Sequence, residues 1–154
     1  MAVETVVDEL AIRELAGRFS DAVNRRDSVL FRSLWTEDGV WDIKAPMNVK
    51  AVGPDAIVRA VETLLGGWEL FVQTTHLGTV TVIGDSATAR FTMNEIGRPA
   101  AARGGHVNFG LYADQLRRTA TGWRFARRVY HFLYLDESEV LGKAFGPLPS
   151  DLYA

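Results

Sequence analysis

The chain has 154 residues, 47% apolar and 23% charged, a length and balance that suit one globular domain with a sizeable core. Its formal charge is −2, and the Arg117-Arg118 and Arg127-Arg128 doublets fall on strand-like segments rather than forming the basic footprint that nucleic acid requires. It has no cysteine, which excludes disulfides, thiolate nucleophiles and cysteine metal sites and suits a reducing, cytoplasmic setting.

Met1 to Asp8 lacks the basic start and apolar core of a signal peptide. No apolar run approaches the roughly 20 residues that cross a bilayer. From Val6 to Arg26, Val7, Ala11, Leu15, Phe19, Ala22 and Val23 recur at helical spacing. Asp27-Ser28 reads as the cap of a second, shorter helix over residues 29–35. Residues 36–39 have turn chemistry, and 40–43 read as a short strand. An irregular connection over 44–53 leads to a third helix over 55–65, opened by Gly53-Pro54 and closed by Gly66-Gly67.

Beyond Gly67 the apolar period drops to two. Four strands are expected, over 71–83, 87–96, 106–118 and 123–135, with a Gly-, Pro- and Ala-rich loop over 97–105. The tail, 136–154, keeps Val140, Leu141, Phe145, Leu148 and Leu152 around Pro147 and Pro149, which predicts that it packs on something. No repeat or linker divides the chain, so a single domain over 1–154 is expected. Helices followed by antiparallel strands give an α+β class, with a cavity between a curved sheet and the helices.

Alternation sorts the polar residues. It puts His76 with Val80 and Val82, and Glu95 with Ala87, Ala89, Phe91 and Met93. Pairing Arg118 with Trp123 in an unbroken hairpin sets Asp114 opposite Arg127 and Gly110 opposite His131. His76, Glu95, His106, Asn108, Tyr112 and His131 then share the concave face. Val107, Phe109, Leu111, Tyr130, Phe132 and Tyr134 share the outer face, where so much apolar surface points to a homodimer.

Several segments resemble the SnoaL-like proteins of the nuclear transport factor two superfamily. Ile12-Arg-Glu-Leu-Ala-Gly-Arg-Phe19, Asn24-Arg-Arg-Asp27 and Leu34-Trp-Thr-Glu-Asp38 match their opening helices. Gly53-Pro-Asp-Ala-Ile57, Gly84-Asp-Ser-Ala-Thr-Ala-Arg90, Tyr112-Ala-Asp114 and Gly122-Trp-Arg-Phe-Ala-Arg-Arg128 match their later elements. The resemblance, covering roughly Glu9 to Leu133, implies a cone-like, mostly antiparallel sheet wrapped over N-terminal helices, a cystatin-like α+β barrel. Its members range from dehydratases, isomerases and polyketide cyclases to non-catalytic binders.

Thr75-His76 resembles the catalytic histidine of scytalone dehydratase and of bile-acid dehydratase, and His106-Val-Asn108 sits where the former has polar substrate contacts. Where those enzymes use a tyrosine and an aspartate on or near the first helix, this chain has Phe19 and Asn24. The expected function is acid–base catalysis on a hydrophobic, ring-containing metabolite, a dehydration, isomerisation or cyclisation. His76, Glu95 and His106 are the candidate catalytic groups. Asn108, Tyr112, His131, Phe19, Trp41, Phe91 and Met93 are the candidate substrate contacts. No HExxH spacing, phosphate loop, dinucleotide fingerprint or nucleophile elbow is present, so neither metal nor cofactor is expected. The alternatives are a binding protein with the same pocket, or an accessory subunit of a larger enzyme.

Overall fold

The computed structural model describes residues 3–146 and 148–153, which excludes Met1, Ala2, Pro147 and Ala154. Helix α1 (Val3–Arg25) buries Ile12, Leu15, Ala16, Phe19, Ser20, Ala22 and Val23. The expected stripe holds except at Val7, which lies beyond the sheet edge and is exposed. Asp27 caps α2 (Ser28–Ser33), its carboxylate accepting from the Leu30 N–H at 2.9 Å. Pro54 opens α3 (Pro54–Leu65), which turns Ile57, Val61 and Leu65 into the core.

Seven strands follow the order β2-β1-β7-β6-β5-β3, with β4 pairing on β5. They are β1 (Trp35–Ile43), β2 (Val49–Val52), β3 (Trp68–Thr75), β4 (Thr79–Ile83), β5 (Ser86–Pro99), β6 (His106–Thr119) and β7 (Gly122–Asp136). All pairs are antiparallel except β1 with β7. The sheet is thus mixed, mostly antiparallel, curved and unclosed, with the helices against its inner face. Among the described residues no helix is long and apolar enough to cross a membrane.

Two strands were longer or more numerous than the period suggests. The 36–39 turn is a bulge inside β1, where the register with β7 shifts between Trp35 and Val40. Strand β2 hides in the presumed loop, because four residues that include a lysine carry little periodic signal.

The expected single strand over 71–83 is two, and this changes which side chains point inward. On β3 the odd positions Phe71, Gln73 and Thr75 turn in. After the irregular His76-Leu77-Gly78 the even positions Val80 and Val82 do so. A Cβ at Gly78 would lie 2.3 Å from the Arg90 carbonyl oxygen, so the chain crosses β5 closely there.

Strand β7 departs once more. Arg118 pairs with Trp123 and Leu116 with Phe125, but Ala126 is an extra residue, and Gln115 then pairs with Arg127. Asp114 therefore faces Arg128 instead of Arg127, and Tyr112 faces Tyr130. Tyr130 and Phe132 turn inward, and Val129 and His131 outward. A second extra residue, Leu133, restores Tyr134 to the outer face opposite Phe109.

Arg128 is fully buried, its Nε donating to Asp114 Oδ1 at 2.9 Å. Its guanidinium lies 3.8 Å from the Tyr112 ring centre, 4.1 Å from Phe125 and 4.3 Å from Phe19.

The tail does not pack as expected. Leu141 and Phe145 are 84% and 79% exposed, and Leu148 and Leu152 are also exposed. What holds its start is polar: Arg98 Nη1 donates to the carbonyls of Val140 and Gly142 at 3.2 and 2.6 Å. Pro147 lies outside the described residues.

Candidate functional site

Between the helices and the inner face of the sheet lies a small, partly open cavity of about 70 Å³. Leu64 and Leu65 of α3 and Trp41 of β1 form one side. Trp68 and Phe71 of β3 face Tyr130 and Phe132 of β7 across it. Four polar side chains, Gln73, Glu95, His106 and Tyr112, also reach its wall.

Glu95 is the centre of the polar group. Its Oε1 accepts from Gln73 Nε2 at 2.6 Å, and its Oε2 accepts from Asn108 Nδ2 at 2.6 Å. His106 Nε2 stands 3.4 Å from Oε2. These contacts follow from register, since Gln73 and Asn108 are the cross-strand partners of Glu95 on β3 and β5's other neighbour, β6. Glu95 thus sits between two amides that both turn their NH2 groups toward it.

Further partners fix the orientation of those amides. Ser20 Oγ of α1 donates to Gln73 Oε1 at 3.0 Å and also meets Thr75 Oγ1. The Tyr130 hydroxyl donates to Asn108 Oδ1, and Asn108 Nδ2 also touches His106 Nε2. Burial, and then the nearby Glu95 charge, push the Tyr130 phenol well above its ordinary value. Burial pushes Tyr112 up in the same way against the pull of Arg128. Both phenols keep their protons at neutral pH. Trp41 Nε1 donates to the Tyr112 hydroxyl at 3.0 Å, which leaves that phenol aimed along the cavity wall.

The fold brings together Glu95, His106, Tyr112 and Trp41 of the residues singled out in the sequence. It does not bring the other two histidines. His76 is exposed, past the end of β3, with its Nε2 bound to Asn94 Oδ1 at 2.9 Å. The parity change across 76–78 turned it outward. His131 is exposed on the outer face because the extra residue Ala126 inverted β7. Asn108 stands behind Glu95 and is sealed from the cavity, so it holds the carboxylate instead of touching a ligand. Phe19, Phe91 and Met93 are likewise buried in the core and do not line the cavity. Among the described residues no group of acids and histidines could hold a metal ion.

Two residues at the site had escaped notice. Gln73 carried a signal: it is the polar member of the odd set Phe71, Gln73, Thr75. Tyr130 carried none, because only the bulge brings it inward. Asn24 holds α1 to β3: its amide exchanges bonds of 2.9 and 2.7 Å with the Gln73 backbone.

The family model for the SnoaL-like domain matches residues 4–129. Among solved structures, a provisionally named aromatic ring hydroxylase from Novosphingobium aromaticivorans is 26% identical, with a TM-score of 0.79 over 86% of this chain and 94% of its own. A provisionally named scytalone dehydratase from the same organism is 20% identical, with a TM-score of 0.81 over 94% and 100%. A hexachlorocyclohexane dehydrochlorinase from Novosphingobium barchaimii is 17% identical, with a TM-score of 0.80 over 95% and 99%. The last two likenesses speak for the fold alone. No curated protein matches the chain.

Proposed function

The chain belongs to the SnoaL-like domain family, and from that premise we propose that it is a cofactor-independent acid–base enzyme, a dehydratase, isomerase or cyclase. In this reading residues 1–154 form one such domain, and a hydrophobic, ring-containing metabolite occupies the cavity. Two similar structures are named as a dehydratase and a dehydrochlorinase, and elimination is among the reactions this reading covers.

The observation that carries it is the meeting of Glu95 and His106, 3.4 Å apart, at the wall of a mostly apolar cavity. Glu95 takes the proton from a carbon beside a carbonyl, and the electron pair left behind expels a hydroxide at the next carbon. Protonated His106 gives that leaving group its proton, so water departs, and the proton on Glu95 passes to His106 to reset the pair. Return of the proton to a different carbon of the same substrate gives isomerisation instead. Tyr112, held protonated, donates to the carbonyl oxygen as negative charge builds there. Trp41 lines the ring's site, and Asn108 with Tyr130 orients Glu95.

The test is mass spectrometry of the protein incubated with hydroxylated cyclic ketones, with Glu95→Gln, His106→Ala and His76→Ala alongside. Loss of water or a separable isomer is expected from the wild type and His76→Ala and not from the other two. Equal product from Glu95→Gln overturns the mechanism.

One observation favours the second reading, a binder without chemistry: both oxygens of Glu95 already hold amide partners. Ligand retained by all four proteins with no product would decide for it. Self-association through the outer face of β6 and β7 is also proposed, supported by the exposure of Phe109, Leu133 and Tyr134 there. Sedimentation at two concentrations tests it, and a monomer at both refutes it.

A further inference from the structure

The cavity wall holds one carboxylate and neither lysine nor arginine. Each oxygen of Glu95 receives an amide N–H, a pattern that suits the ionised, acceptor-only form. Amide dipoles soften that charge without cancelling it. Of the wall groups His106 alone can become a cation. The nearest buried cation, Arg128, lies against the Tyr112 ring and is matched by Asp114 at 2.9 Å.

The rest of the wall is rich in rings. Trp68 and Phe71 are tilted by 48°, Tyr112 and Tyr130 by 56°, and Tyr130 and Phe132 by 85°. With Trp41 these rings make much of the wall aromatic. A carboxylate among aromatic rings, with neither lysine nor arginine on the wall, is poor surroundings for an anion and indifferent to a neutral ring. It suits a cation, whose lost hydration is offset by the ring quadrupoles and by a charge in low dielectric.

We propose that this cavity selects ligands bearing a positively charged nitrogen on a hydrophobic body, the cationic end lying between the aromatic wall and Glu95. The inference rests on the reading of the cavity as the ligand site and narrows its substrate class to amines and quaternary ammonium compounds.

Calorimetric titration at about pH 8 tests it with three probes of one shape: benzyltrimethylammonium, its neutral isostere neopentylbenzene, and phenylacetate as the anion. The cation is expected to bind at least about tenfold tighter than the isostere, and the anion weakest. Glu95→Gln is expected to cut the preference severalfold, and Trp68→Leu, at a separate point on the wall, to reduce it too. Equal or tighter binding of neopentylbenzene, no saturable binding of the cation, or a preference untouched by both substitutions would overturn the proposal. The outcome is separable from the acid–base reading. Glu95-dependent turnover of neutral ketones without cation preference sinks this inference alone, and selective cation binding without turnover sinks the other.

Discussion

Tyr130 lies so closely over Gly110 that a Cβ added at Gly110 would come within 2.1 Å of the phenol Cζ. The two residues sit on neighbouring strands, β7 and β6, and the missing side chain is what lets the ring reach across to Asn108. From Asn108 the contact continues to Glu95. A glycine in the middle of a strand weakens it, so its presence here has a packing reason.

Gly110→Ala is therefore expected to push Tyr130 off Asn108 and cost about 1–3 kcal/mol, as overpacking does. Tyr130→Phe removes only the hydroxyl and should cost about 1 kcal/mol. Combining Gly110→Ala with Tyr130→Leu should cost less than the two separate changes added together. Urea denaturation of the four proteins measures this. Simple additivity would mean that the two side chains do not compete for the same space.

The buried pair of Arg128 and Asp114 makes a second prediction. Asp114→Ala takes away the acceptor of the fully buried Arg128 Nε–H and leaves that donor unsatisfied, at an expected cost of about 1–3 kcal/mol at pH 8. Arg128→Met together with Asp114→Leu should be milder than Asp114→Ala alone, since no charge then stays buried. A double variant less stable than the single one would show that the aromatic rings around Arg128 depend on its charge.

The same carboxyl gives a pH dependence. Burial pushes Asp114 up from 3.8 to about 6, against the opposing pull of Arg128. Between those values the folded chain keeps a proton that the unfolded chain releases. This contribution to stability is therefore fully present below about pH 4 and is lost as the pH rises through about 6. Asp114→Asn binds no such proton. The stability of the wild type relative to Asp114→Asn should fall across that window, as read from thermal melts at half-unit steps. A flat or rising difference would refute the shift.

His76 and His106 should behave oppositely. His76→Ala removes one exposed contact to Asn94 and should change stability by less than about 0.5 kcal/mol. If the proposed reaction occurs, His106→Ala should slow it by about a hundredfold or more while His76→Ala leaves it within about twofold. His106 also packs at 5.4 Å from the Trp68 ring centre, so its loss should alter tryptophan fluorescence, which the other substitution should not. Loss of turnover in His76→Ala would contradict the exposed position of that residue.

Local sequence determined the three helices, most of the long strands and one half of the site. Helical spacing marked α1 and α3, and strict alternation on β5 and β6 correctly put Glu95, His106, Asn108 and Tyr112 on the inner face. Those strands run without interruption, so a period of two counted from any residue stays true along them. Tertiary structure decided the rest. The irregular turn at 76–78 and the extra residue Ala126 each shift the count by one, turning His76 and His131 out and bringing Gln73, Arg128 and Tyr130 in. A bulge leaves no mark in composition, because it arises where the sheet must bend over α1 and is settled by pairing with neighbours far away in the chain.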